Sequence, residues 1–382
     1  MPASARLLFV FALLAPPLGA EEPFATELSV GFGYEGSDTD RPLVVLDGTP
    51  SASYDYAADA RGHAVDVSAT RWLRPVPDDG RTPLGLLPYV ARASSFSARF
   101  ALTGQSRDSL GRFAGQQSTL EVSFSADGTL READLAAEWF LSRALALRAG
   151  LVHGNERETA ASTSVERPSG RADVSTSGTR ASSTAGALGV AVRLGEHELS
   201  LSGRYGEGDR TRDDSSAFTG GAAPFSSTVG TDSVAREATL AVRLLLLDRR
   251  VAVDAAGRYG LTTSSSDLST AVSGPWAQGR TIARGVSAEA TWYPSRTLGV
   301  SLGFAYATRD TASGPEGRLR SSSAETSRTA RAGVEWHASP RVAVALSGEL
   351  AGTDTVTPPG ATTFQRFEET AARVVLGARV RI

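Results

Sequence analysis

The stretch Ala133–Leu151, ADLAAEWFLSRALALRAGL, decides the fold. In its first half Ala133, Leu135, Ala137 and Trp139 share one parity, and Asp134, Ala136 and Glu138 share the other. In its second half Leu145, Leu147, Ala149 and Leu151 alternate with Ala146, Arg148 and Gly150. Alternation with period two on both sides of Ser142-Arg143-Ala144 reads as two strands joined by a tight turn.

The same unit recurs down the chain. Leu188, Val190, Val192 and Leu194 lead into Gly195-Glu196-His197, and Leu199, Leu201, Gly203 and Tyr205 lead out. Equivalent turns lie at Asp248-Arg249-Arg250, Pro294-Ser295-Arg296 and Ala338-Ser339-Pro340, each flanked by alternating runs. The last run, Val374 to Ile382, places Arg373, Gly377, Arg379 and Arg381 opposite its apolar side. Upstream, Phe24–Tyr34 and His63–Leu73 alternate cleanly, with Val65, Val67 and Ala69 on the apolar side of the second. A Pro/Gly/Asp segment, Arg74–Gly85, precedes Leu86–Phe100, an irregular run whose alternation slips near Ser94–Phe96, as at a bulge. Long polar segments such as Glu35–Gly62, Asn155–Thr184 and Gly208–Asp232 read as loops. Loops of that length would count against a compact soluble domain. Tight turns alternating with long polar loops instead match a membrane barrel.

Two observations separate a membrane barrel from a soluble sandwich. The face opposite the apolar one is Gly, Ser, Thr, Ala and charge, and so is wet rather than packed. Its candidate lumen residues are Glu132, Asp134 and Glu138 on one strand, then Arg148, Arg193, Arg204, Arg243, Asp254, Arg258 and Glu289. Arg331, Glu335, Glu349, Arg373 and Arg379 complete them toward the end of the chain. Aromatics also fall at two heights. Trp139, Trp292 and Trp336 sit just before tight turns, as does Trp72 on the opposite parity. Tyr34, Tyr205, Tyr259 and Tyr306 sit at the far ends of rising strands. From Leu298 to Tyr306 the chain rises about 26 Å at roughly 3.3 Å per residue. A tilt of about 40° reduces this to about 20 Å, close to the apolar band of an outer-membrane barrel.

The expectation is an all-β, transmembrane, antiparallel up-and-down barrel with short periplasmic turns and long extracellular loops. Fourteen strands are expected, with 104–129 extending one hairpin beyond the membrane; sixteen result if that stretch adds a pair. Met1–Ala20 reads as a signal peptide, with Arg6 before the apolar Leu7–Ala15, which leaves 21–382 as the barrel domain. The chain would lie in the cell outer membrane with both termini periplasmic.

The whole-chain numbers agree. Of 382 residues 41% are hydrophobic and 21% charged, net charge is −3, and there is no Cys. No thiolate metal site or disulfide is possible, and near-neutral charge argues against nucleic acid as a partner. Every basic residue is Arg. No run outside the leader is long enough for a helical span. No nucleophile elbow, zinc-helix motif or phosphate-cradling loop appears, so no enzyme and no cofactor is expected. Glu196-His197-Glu198 reads as a charged turn rather than a metal site, and Asp38/Asp40 and Asp213/Asp214 as solvated charge rather than a Ca²⁺ loop.

The repeated strand–turn–strand unit with girdle aromatics resembles bacterial outer-membrane β-barrel proteins of the porin type. The resemblance covers about residues 24–382 and specifies a class rather than a family. Such barrels usually end on an aromatic residue, whereas this chain ends Arg379-Val380-Arg381-Ile382. Fourteen-stranded fatty-acid transporters look similar in size but carry an N-terminal plug, for which a strand beginning near Phe24 leaves no room. The wet, mixed-charge inner face points to a porin-like passive channel for small polar or charged solutes, narrowed by opposed acid and Arg rows. The alternative is an export barrel, such as a polysaccharide-secretion partner, or a surface adhesion barrel. Expected partners are outer-membrane lipid or lipopolysaccharide and the barrel assembly machinery, with a secretion-complex partner under the alternative reading.

Overall fold

A computed structural model of the chain describes residues 23–42, 53–114, 119–167, 171–218, 225–268, 275–315, 321–357 and 365–382. The expected signal peptide, Met1–Ala20, lies outside them. Fourteen strands form: β1 Phe24–Pro42, β2 Ser53–Val76, β3 Ser95–Ala114, β4 Thr119–Phe140, β5 Leu145–Arg167, β6 Arg171–Leu194 and β7 His197–Phe218. They continue as β8 Phe225–Leu246, β9 Val251–Leu268, β10 Pro275–Ser295, β11 Leu298–Gly314, β12 Ser321–Ser339, β13 Val342–Thr357 and β14 Gln365–Arg381. Each pairs antiparallel with its sequence neighbours, and β1 closes the ring on β14. Closure satisfies the backbone polar groups that an open sheet would present to lipid.

The register fixes the shape. Following paired residues from Trp139 leads through Leu147, Val190, Leu201, Leu240, Gly257 and Val286 to Tyr306. From there it runs through Arg328, Gly352, Thr370, Asp38, Asp59 and Asp108 back to Ser125 on β4. The circuit returns at position 125 rather than 139, a shear of 14 residues over 14 strands. Strands are therefore tilted by about 40°. At a spacing of about 4.8 Å they enclose a backbone diameter of roughly 28 Å.

Fourteen strands, not sixteen, is the outcome, because 104–114 and 119–129 extend β3 and β4 in continuous register from Gly104↔Thr129 to Ala114↔Thr119. The polar segments that read as loops are mostly strand as well: β5 and β6 stay paired from His153↔Thr184 to Glu166↔Arg171. Above the membrane both faces of a strand are wet, so Ser, Thr and charge occupy both parities and the alternation disappears. The described pairing is uninterrupted through the middle of the wall. Its irregularities lie near strand ends, at Phe24/Thr26, Pro275/Ala277, Trp292/Ser295 and His337/Ser339.

One connection departs from the tight-turn rule. Between β2 and β3 the chain forms a 3-10 turn, Leu84–Leu86, then a short helix, α1 Leu87–Ala91. Pro88 suits the first turn of a helix, where its missing N–H costs nothing. Arg92 ends the helix in the left-handed region with φ 52°. The irregular run expected over Leu86–Phe100 is thus a helix followed by the start of β3, and the slip near Ser94 is that boundary rather than a bulge.

Candidate functional site

The two faces of the wall follow the two parities. Trp139, Trp292, Trp336, Tyr34, Tyr205, Tyr259 and Tyr306 are all exposed on the outer face. There Phe96 and Trp139 meet edge to face with ring centroids 5.1 Å apart. Trp72 does not belong with them. It lies on the inward parity of β2, is 6% exposed, and packs edge to face on Phe24 at 5.4 Å within a cluster that includes Val76, Leu84, Leu87 and Ala93. Its position before a turn matched a girdle, but parity decides which side a strand residue occupies, and parity placed it inside.

Every lumen candidate shares the inward parity, and the closed register brings most of them into ion pairs. Glu138 holds Arg148 at 2.7 Å, and Arg148 reaches on to Glu198 at 2.6 Å. Glu198 also accepts from Arg193 at 2.8 Å. Arg243 forks onto Asp254 with contacts of 2.5 and 3.1 Å. Arg331 meets Glu349 at 2.5 Å, Arg379 meets Glu335 at 3.1 Å, and Arg258 lies 4.0 Å from Glu237. Glu132 and Asp134 share Arg99, which also binds Asp66. Arg204 stands opposite Glu237 and Arg373 opposite Glu349, without forming a bridge to either. Glu289 lies opposite Asp254. Most of these pairs join neighbouring strands, while Arg148–Glu198 and Arg379–Glu335 reach across one intervening strand, so only ring order could assign the partners. Asp66, Arg99, Glu198, Glu237, Glu27 and Arg381 are partners that were not among the candidate lumen residues. The signal available for them was parity: each sits on the wet face of its strand.

A cavity of about 330 Å³ opens on the inner wall, lined by Arg148, Glu198, Arg243, Asp254, Glu289 and Arg331 together with Val242, Phe304 and small residues. It combines three guanidiniums and three carboxylates around space that small side chains leave open. Such a lining offers hydrogen bonds and charge to a polar solute, beside apolar surface from Val242, Phe304 and the alanines.

Below this lumen the β2–β3 connection forms a floor. Leu84 N–H donates to the Arg296 carbonyl at 3.0 Å, and Arg381 donates to the Leu84 carbonyl at 2.9 Å. Tyr89 Oη donates to the Glu196 carbonyl at 3.0 Å, and Arg193 donates to the Tyr89 carbonyl at 2.7 Å. Arg92 donates to the carbonyls of Arg143, at 2.6 Å, and of Gly195. Arg249 binds Glu196 at 2.7 Å, Thr82 Oγ1 at 2.7 Å and Asp79 at 3.3 Å, while Arg296 pairs with Asp78. One segment is thus tied to the turns after β4, β6, β8 and β10 and to β14, across the mouth of the ring. Gly195 makes its turn possible with φ 67°. Gly85 permits close approach: a Cβ there would lie 3.0 Å from Glu335 Oε2.

The floor is dry. Leu86 packs with Leu245, Ala252 and Tyr293, flanked by Tyr89 and Val90. Tyr89 also lies between two cations, Arg193 at 4.1 Å and Arg243 at 4.9 Å from its ring centroid. Burial pushes its phenol above the ordinary range; the two guanidiniums oppose that shift, and Glu198 and Asp254 add to it. For Asp79, burial alone would raise the carboxyl. Hydrogen bonds from the Thr82 hydroxyl and the Thr82 and Arg81 N–H groups, with Arg249 beside it, outweigh burial and hold it below the usual carboxylate range. The Glu196-His197-Glu198 turn is absorbed into this structure: Glu196 binds Arg249, His197 Nδ1 accepts from Leu245 N–H at 3.3 Å, and Glu198 binds two arginines.

No protein-family model matches the chain, and no curated protein matches its sequence. Solved structures do share its fold. The TodX monoaromatic hydrocarbon channel, as a deltaS2 mutant, aligns with TM-score 0.59 at 11% identity, covering 94% of this chain and 91% of its own. The Pseudomonas putida toluene transporter TodX gives 0.57 at 11% identity over the same shares. The Ralstonia pickettii toluene transporter TbuX gives 0.50 at 12% identity, covering 94% and 90%. The chain therefore has the fold of an outer-membrane β-barrel of fourteen strands.

Proposed function

We propose that the chain is an outer-membrane channel for small polar or charged solutes, closed at its periplasmic mouth by the Pro77–Ser94 segment. The observation that carries this reading is the inner wall, where small residues alternate with paired charges and form the polar cavity above the floor. Eight strands are filled by side chains, whereas sixteen to eighteen leave an aqueous channel. A ring of fourteen lined by Gly, Ala and Ser is open enough to conduct where nothing folds in. Membership of the fold with toluene channels suggests a second cargo class, apolar and aromatic. The feature in its favour is the floor, where Leu86, Leu245 and Tyr293 form an apolar cluster with Tyr89 and Val90 packed against it. The wall presents its charges to the cavity, whereas the floor's Leu86, Leu245 and Tyr293 are buried, so the first reading is preferred.

Liposome swelling decides between them. Vesicles containing the folded protein with Arg249→Ala and Arg296→Ala, which unlatch the floor, are expected to swell in isosmotic sugar or amino-acid solutions. Vesicles that exclude both solutes yet take up toluene would overturn the polar reading.

A further inference from the structure

The outer face carries arginines as well as the lumen, and the register shows how they are arranged. Tyr205 stands directly opposite Arg236, Tyr259 opposite Arg284, and Tyr306 opposite Arg328, all on the lipid-facing parity. The three pairs share one height. Arg236 pairs across its other edge with Leu261, and Tyr259 lies two residues from Leu261 toward the tight turn. Arg284 likewise pairs with Thr308, two residues from Tyr306. A shear of 14 over 14 strands is one residue per strand, or two per hairpin, so this offset cancels the slope of the register. Arg131 on β4, opposite Leu102 of β3, falls at the same height by the same count.

These four arginines differ from those inside. Arg99, Arg148, Arg193, Arg243, Arg331 and Arg379 each hold a carboxylate. Arg131, Arg236, Arg284 and Arg328 are exposed, and among the described residues none is in a salt bridge. Glu207, the acid above Tyr205, is engaged by the Tyr205 hydroxyl at 2.7 Å. A row of unpaired guanidiniums on the lipid-facing side, one step beyond an aromatic ring that marks the hydrocarbon boundary, sits where lipid headgroups lie. Charge there is costly unless an anion meets it. A guanidinium presents a planar fork that matches phosphate oxygens two at a time.

We propose that Arg131, Arg236, Arg284 and Arg328 form a collar that binds the phosphates of an outer-leaflet lipid headgroup. The adjoining tyrosines pack against the upper part of its acyl chains. The collar rests on the orientation in which the ends opposite the tight turns face outward, and it is independent of whether the lumen conducts.

The test is binding of diphosphorylated lipid A to the purified barrel in uncharged detergent, read by native mass spectrometry. Each Arg→Gln change is expected to weaken binding about fivefold, from roughly 1 kcal/mol per interfacial arginine, and Arg236→Gln, Arg284→Gln and Arg328→Gln together about 100-fold. Binding by the native protein should fall as salt rises. Changing the same three residues to Lys should restore part of the affinity. Mobility of the unheated protein in a gel reports folding, and the single variants carry the test if the triple variant does not assemble. Equal binding by native and variant proteins, or equal binding of lipid A stripped of its phosphates, would overturn the proposal.

Discussion

Two connections at the tight-turn end of this barrel are built on opposite plans. Between β4 and β5 the chain turns in Leu141–Ala144 and returns at once along the wall, with Ser142 capping the turn through bonds of 3.1 Å to the N–H groups of Ala144 and Leu145. Between β2 and β3 it leaves the wall for Pro77–Ser94, crosses the mouth and closes it. The first connection obeys period two up to its last residue. The second breaks that period, because Leu84, Leu86 and Leu87 are all buried against the floor's core and do not alternate with a wet face. What makes a wall and what makes a floor is thus visible as the presence or loss of a single periodicity.

The largest difference between the two plans should appear at the wall's outer face. Leu147→Arg puts a charge into the hydrocarbon layer at a cost of about 2–4 kcal/mol at mid-depth. The expected outcome is loss of the folded, heat-modifiable species on gels. The inward control belongs at Ala136 rather than Ala146, because Ala146 is 1% exposed whereas Ala136 is exposed on the inward parity. Ala136→Arg should assemble normally and lower conductance once the floor is unlatched.

Two tryptophans that look equivalent in sequence should separate next. Trp72→Ala empties part of the floor's core and should cost about 3–5 kcal/mol. Trp139→Ala removes a girdle ring from the lipid boundary and should cost far less. Thermal unfolding followed by the heat-modifiable gel shift ranks them, and equal losses would mean that Trp72 is not a core residue.

A smaller effect should come from pH. The folded-state carboxyl of Asp79 is depressed, so its contribution is present above the ordinary carboxylate range and is lost as pH falls through the lowered value. Channel opening should therefore rise as the periplasmic side is acidified below about pH 4. Asp79→Asn should remove that pH dependence and leave opening at the level the native protein reaches in acid. An unchanged profile in Asp79→Asn would assign the latch to other groups.

Much of the wall could be read from single residues. The inward parity of Glu138 and Arg148, the outward parity of Trp139 and Leu147, and the number of strands all follow from alternation, which responds to lipid on one side and water on the other. Residues above the membrane lost the signal because both faces are wet there, so paired strands such as 155–167 looked like loops. The ion pairs were half legible: Arg243 could be assigned inward, but Arg99 gains Asp66, Glu132 and Asp134 only when three strands lie side by side. The floor was the hardest to read. Leu84, Leu87 and Pro88 carry a short helical pattern, yet a helix this brief has little propensity of its own. It is held by tertiary packing and by arginines up to more than 200 residues away in sequence, such as Arg296 and Arg381.

The most direct test of the whole account is single-channel conductance across planar bilayers. The native protein would be compared with a variant in which residues 79–92 are replaced by a short Gly/Ser linker. The expected result is rare, small openings for the native chain and long, large openings for the variant, both carried by hydrated ions. Indistinguishable conductance in the two proteins would contradict a channel floored by the β2–β3 connection.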